Sequence, residues 1–137
     1  MTLDSTPAAR RHEAALEKLA VLRARPDLQE DPPAWAPARR LWDGVEVLSK
    51  VMDASTRSPD GDEPAIATDD LAAALALFED LRQQLDHLEC QVIMEARRHG
   101  MDWNQIKDQQ SLKTPQAAAQ RYQRLMTRLE EIRQGMR

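Results

Sequence analysis

The feature that most limits how this chain can fold is a set of apolar residues spaced three and four apart: Leu71, Leu75, Phe78, Leu81, Leu85, Leu88 and Val92. An α-helix with 3.6 residues per turn carries such positions on one side. The pattern predicts either one helix of about 30 residues or two helices broken near Gln84. At a rise of about 1.5 Å per residue, a continuous helix would be about 45 Å long, more than one small domain can cover. A stripe of that length needs a partner. Either a second copy packs on it in coiled-coil or four-helix fashion, or the helices around Leu19 and Leu48 fold back over it. A homodimer built from the N-terminal helices and the Leu71 to Leu85 stripe is the expectation, and intramolecular cover is the alternative.

The remaining composition points the same way. Four Gly in 137 residues, with the eight Pro gathered mostly before Ala65, argue against an all-β design full of tight turns. Only 4% of residues are aromatic and Ala supplies much of the 42% that is hydrophobic, so the expected interior is small-residue helix packing in an all-α fold. An amphipathic helix is predicted from Ala9 to Arg25, with Ala15, Leu16, Leu19, Ala20 and Leu22 on one side and Pro26 closing it. Asp27 to Pro37 reads as an extended connection in which Trp35 docks on a neighbouring helix. A second helix spans about Ala38 to Asp53, with Leu41, Val45, Leu48 and Met52 on one face. Its mid-helix Gly44 costs about 1 kcal/mol relative to Ala, which close approach by another helix would explain. Ser55 to Thr68 then forms an acidic linker with turn chemistry. Its Asp60, Asp62 and Glu63 lack the spacing of a calcium loop. Thr68 or Asp69 is the expected cap of the long helix. The predicted organisation is an N-terminal helical dimerisation region (1–54), the linker (55–68), and the long helix leading into a C-terminal trihelical helix-turn-helix (69–137).

The C-terminal part carries the functional signal. A turn at Gly100, a short helix around Trp103 to Ile106, a second turn, and a third helix opened by Thr114-Pro115 are the outline of a helix-turn-helix. Thr114 suits the N-cap, and Pro115 the first helical position, where a missing N–H costs nothing. Ala118, Tyr122, Leu125, Leu129 and Ile132 share the inward face of that third helix. Gln116, Gln120, Gln123, Arg124 and Thr127 lie roughly opposite, with Arg121 and Arg128 toward one flank. From Lys113 the helix has no carboxylate until Glu130. Amides and guanidiniums are the groups that read adenine and guanine edges in the major groove.

Leu88-Glu89, Ile93, Ala96-Arg97-Arg98, Gly100, Trp103 and Ile106, followed by Gln116-Ala117-Ala118, Gln120-Arg121-Tyr122 and Leu125, resemble a group of small actinomycete helix-turn-helix regulators. Some of these are described as small-heat-shock-protein transcriptional regulators, and the group is more distantly similar to sigma-factor region 4. The resemblance runs from near Leu71 to Leu129. It implies a sequence-reading third helix with Gln116, Gln120 and Arg121 facing DNA. The chain departs from the family pattern in the second turn. Lys107 stands where the family has a small residue, and Gln110 and Ser111 stand where it has a Leu-Gly pair.

Charge is distributed to match. Net charge is -4, but residues 1–85 carry ten Lys/Arg against sixteen Asp/Glu, and residues 86–137 carry nine against seven. Local sign decides where phosphates approach, because screening acts over about 8–10 Å at physiological salt. The expected interface to double-stranded DNA is Lys113, Thr114, Gln116, Gln120, Arg121, Gln123, Arg124 and Arg128. In it Gln116 and Gln120 read bases, Arg121 reads a base or holds a phosphate, and Lys113, Arg124 and Arg128 hold the backbone. A protein-interaction adaptor that keeps the three-helix shape without DNA is the other reading, consistent with the altered turn and the overall acidity. No catalytic constellation, cofactor loop or metal-ligand spacing is present in the sequence, so neither enzyme nor cofactor is expected. Cys90, beside Val92 and Ile93, reads as a small packed residue. No apolar run approaches the ~18 residues of a membrane span, and no signal-peptide pattern opens the chain. A cytoplasmic, nucleoid-associated protein is the expectation.

Overall fold

Proline marks where three of the helices begin, since a residue with fixed φ and no N–H fits the first turn and little else in a helix. In a computed structural model, which describes residues 6–28, 30–57 and 66–135, Pro7, Pro37 and Pro115 each open a helix. The helices are α1 (Pro7–Lys18), α2 (Ala20–Ala24), α3 (Pro37–Thr56), α4 (Thr68–Arg98), α5 (Trp103–Gln109) and α6 (Pro115–Arg133), with a 3-10 turn at Pro26–Leu28. No strand occurs among the described residues, as the all-α expectation requires. The chain divides into two units, residues 1–32 and 33–137.

The first unit is a capped, interrupted helix. The Thr6 hydroxyl accepts the Ala9 N–H at 3.0 Å, which satisfies one of the free donors at the helix start. The single helix expected over Ala9 to Arg25 is instead broken at Leu19, and nothing in the neighbouring residues explains the break. None of the α1 or α2 side chains is buried.

The second unit is organised on α4. Its 31 residues form one continuous helix, which settles the choice left open at Gln84. The Gln84 amide donates to the Asp80 carboxylate one turn back, at 3.2 Å. The cap is Ala67, not Thr68 or Asp69, and the Asp70 carboxylate accepts the Ala67 N–H at 3.0 Å. Asp69 and Asp70 therefore sit in the first turn, where the helix dipole favours negative charge.

The two halves of α4 hold different partners. The N-terminal half pairs with α3 as an antiparallel hairpin, with Arg40 bonded to Asp80 at 2.7 Å. Gly44 accounts for the closeness of the two axes: a Cβ there would stand 2.5 Å from Leu81 Cδ2. The C-terminal half joins α5 and α6 around Cys90, Ile93, Ile106, Ala118 and Leu125. Ala96, Met101, Trp103, Leu112, Tyr122 and Leu129 close that core. α3 thus belongs with α4, so the division falls at Pro32 and Pro33 and not at the acidic segment expected to separate them. Trp35 is 81% exposed, on a turn in which Ala36 N–H bonds to the Pro33 carbonyl at 2.9 Å, so the expected docking on a neighbouring helix does not occur among the described residues. Ser55 and Thr56 extend α3, while residues 58–65, including Asp60, Asp62 and Glu63, lie outside the described residues.

The ends of α4 and α5 use one motif twice. After α4, Met101 N–H reaches the Ala96 carbonyl and Gly100 N–H the Arg97 carbonyl, each at 3.0 Å. After α5, Leu112 N–H reaches the Lys107 carbonyl at 2.9 Å and Ser111 N–H the Asp108 carbonyl at 3.4 Å. Both are Schellman caps, whose pivot residue is left-handed. Gly100 takes φ 92 without penalty, but at the second pivot Ser111 takes φ 59, a region that costs an L-residue roughly 1–2 kcal/mol. Ser111→Gly is therefore expected to stabilise the protein by about 0.5–1 kcal/mol, the gain being reduced by glycine's greater freedom in the unfolded chain. Urea denaturation with an unchanged m-value measures it.

Candidate nucleic-acid interface

The direction in which α6 presents its side chains is set by what it buries. Ala118 has no exposed surface and Leu125 is buried, while Tyr122 and Leu129 are half-buried. Thr114 caps the helix as expected, its hydroxyl accepting the Ala117 N–H at 3.0 Å. α5 is positioned by its own cap, in which Asp102 accepts the Gln105 N–H at 2.8 Å and the Gln105 side chain accepts the Asp102 N–H at 2.9 Å. Trp103 then lies against Tyr122 with ring centroids 5.7 Å apart, and the Arg97 guanidinium covers the indole at 4.8 Å. Ile106 is buried beneath. These contacts fix the crossing of α5 and α6.

Outward, the structure leaves Lys113, Thr114, Gln116, Gln120, Gln123, Arg124, Thr127 and Arg128 exposed. Two of the expected contacts are nevertheless not free. Arg121 is half-buried and reaches back to Glu89 of α4, with Nε 2.5 Å from Oε2 and Nη2 2.8 Å from Oε1. Arg128 donates from Nη1 to Asp86 Oδ2 at 2.7 Å. This flank is therefore a row of ion pairs and not a pair of open cations. The reason is that α6 runs back along α4, bringing Arg121 and Arg128, two turns apart, over acids three residues apart. Lys113 and Arg124 make no ion pair among the described residues.

Glu89 and Asp86 are the site residues that sequence reasoning missed. On α4 they look like ordinary solvated positions beside an apolar stripe. The available signal was the joint spacing, two acids on one helix and two arginines on the flank of an antiparallel neighbour. Glu89 also accepts the Gln110 side-chain amide at 3.0 Å, so a residue of the α5–α6 turn is tied to the same carboxylate. Gln110 Oε1 is buried without a hydrogen-bond partner among the described residues. Lys107 keeps its stem half-buried and carries its ammonium out to Asp108 at 2.8 Å. Leu112 packs on the core.

The electrostatics follow from these pairings. The Glu89 hydrogen bonds hold the Arg121 guanidinium even more firmly protonated than usual, against the opposing effect of burial. Cys90, beside them, is 2% exposed. Burial first, and then the charges of Glu89 and Asp86, push its thiol above the ordinary range, and its side chain packs in the core of α4, α5 and α6.

A second surface belongs to the α3–α4 hairpin. Leu71, Leu75, Phe78 and Leu85 of α4 and Trp42, Val45 and Met52 of α3 are all exposed. Helical spacing puts them on the same side of the hairpin, the opposite side being the groove where Val47 and Ala54 meet Ala73 and Leu77.

The chain is thus an all-helical protein in which no described helix is long and apolar enough to cross a membrane. No protein-family model matches it, and neither the curated proteins nor the solved structures compared with it give a match. The residues themselves therefore carry the functional reading.

The Arg121–Glu89 pair has a measurable consequence for stability. Arg121→Ala leaves a carboxylate that is only 25% exposed with the Gln110 amide as its remaining described partner, and the guanidinium side is partly solvated, so the expected cost is only about 1 kcal/mol. Gln120→Ala, on the open face, is expected to stay within about 0.5 kcal/mol of the parent. Denaturant titration of the two variants makes the comparison.

Proposed function

We propose that this protein is a double-stranded-DNA-binding transcriptional regulator that reads sequence through a helix-turn-helix formed by α5 and α6. The observation that carries the reading is the face of α6 from Thr114 to Arg128, where Gln116, Gln120, Gln123, Arg124 and Thr127 are exposed and no carboxylate of α6 interrupts them. Gln116 and Gln120 suit adenine edges and Arg121 a guanine edge. Lys113 and Arg124 are the phosphate contacts, since they position without reading, and Arg128 adds to them whenever it leaves Asp86.

A homodimer completes the proposal. The seven exposed apolar residues of the α3–α4 face retain between 39% and 72% of their surface. At roughly 200 Å² for a large apolar residue, this comes to about 800 Å², one partner's share of a standard interface. It exceeds the roughly 300–600 Å² of the largest patch on a typical monomer. A two-fold assembly offers two reading helices to half-sites about 34 Å apart.

An adaptor that binds protein and not DNA is the second reading. It is favoured by the capture of Arg121 and Arg128 by acids of the same chain.

Mobility-shift titration of a mixed-sequence duplex at several salt concentrations separates the two. With Lys113 and Arg124 as the cations of this surface that make no ion pair among the described residues, log affinity is expected to fall with log salt at a slope of about -2 per protomer, and Lys113→Ala and Arg124→Ala each to remove about one charge from it. Absence of any salt-dependent shift at low ionic strength supports the adaptor. Sedimentation equilibrium at micromolar concentration is expected to give twice the 15.6 kDa of one chain, and Leu75→Glu to return it to one.

A further inference from the structure

Resting on the assignment of α6 as a DNA-reading helix, we propose that Glu89 of α4 is a positioning residue: it sets Arg121 as a guanine reader and withdraws it from the charge that binds phosphate.

The geometry begins with the guanidinium, which has five N–H groups in a rigid planar fork. Glu89 occupies one side of that fork, through Nε and Nη2. The end of the fork, formed by Nη1 and the remaining N–H of Nη2, is a second bidentate edge. Two parallel donors of that kind match the O6 and N7 acceptors of guanine. Arg121 keeps 41% of its side-chain surface, so the pairing does not enclose it.

Glu89 is itself held from two directions. It receives Arg121 from α6 and the Gln110 amide from the α5–α6 turn, and Gln110 caps α5 directly before the Ser111 pivot. Helix α4, the turn and α6 therefore meet at one carboxylate. A guanidinium fixed in this way loses little rotamer freedom when it meets a base. Its charge is already balanced, so it contributes little to counterion release from phosphates.

The other cations on this surface differ in a graded manner. Arg128 makes one contact to Asp86 and keeps 58% of its side-chain surface, and a single contact leaves it able to swing to a phosphate. Lys113 and Arg124 have no ion-pair partner among the described residues. The surface thus has one rigid, neutralised arginine as a reader, with looser cations around it supplying affinity.

In vitro selection from a randomised duplex pool, combined with the salt dependence of binding to a mixed-sequence duplex, tests the assignment. The parent is expected to select a site with a fixed guanine. Glu89→Gln is expected to lose about tenfold in preference for that guanine, to bind the mixed-sequence duplex more tightly, and to show a salt slope steeper by about one charge. Glu89→Asp keeps the balancing charge but cannot reach both nitrogens. It is expected to lose the guanine preference without the steeper slope, and it carries the test if Glu89→Gln does not fold by circular dichroism. Asp86→Asn is expected to steepen the slope and leave the guanine in place. A role in stability alone would lower the melting temperature of the Glu89 variants and leave both guanine preference and slope as in the parent, which overturns the assignment of Glu89 while α6 still reads DNA. If the parent selects no sequence and its binding ignores salt, the DNA reading of α6 fails, and the role of Glu89 fails with it.

Discussion

Everything proposed for the surface of this protein depends on the seating of Ala118 in the core that α6 shares with α4 and α5. A methyl group with no exposed area must face that core, and this fixes the rotation of α6 about its own axis. Once Ala118 and Leu125 face inward, the 3.6-residue period turns Gln116, Gln120 and Gln123 outward. A larger side chain at 118 would push α6 away and rotate the whole face. A small residue acts again where Gly44 of α3 meets Leu81 of α4.

Helix α4 links the two halves of the proposed function. Its N-terminal half, paired with α3, leaves a broad apolar face uncovered, and its C-terminal half packs on α6 and supplies Asp86 and Glu89 to it. A helix near 45 Å long at about 1.5 Å per residue connects the two without a joint. The acids of α4 also resolve an apparent conflict in charge. The net charge is -4, yet α6 carries a basic face. The acids nearest that face are paired with particular arginines, so they shape it more than they repel phosphate from it.

What was legible in the sequence was whatever rests on local chemistry. The Thr114-Pro115 start of α6, its Ala118 to Leu129 inward stripe, the turn at Gly100 and the close approach at Gly44 each follow from a single residue's geometry or from helical period. The choice of which apolar residues are buried was less visible. Of the seven residues in the three-four pattern, Leu81 is buried while Leu71, Leu75, Phe78, Leu85 and Val92 remain exposed. The burial falls instead on Ala74, Cys90 and Ile93, because α3 and α6 lie on opposite sides of α4 and the apolar pattern lies largely between them. The pattern weights large side chains, whereas close helix packing selects small ones. The pairings of Arg121 with Glu89 and Arg128 with Asp86 join residues 32 and 42 positions apart, and no local signal marks them. Trp35 shows the reverse case, where a general preference for burying indole fails and the side chain stands exposed on a turn.

The most direct test of the central claim, that the amide and guanidinium face of α6 is open to a duplex, is an amide chemical-shift titration of isotopically labelled protein with a mixed-sequence duplex at low salt. Shifts are expected to concentrate at Lys113, Gln116, Gln120, Gln123 and Arg124, with little change across α3 and the N-terminal half of α4. Shifts confined to the α3–α4 face, or none at all while the protein remains folded, would contradict it.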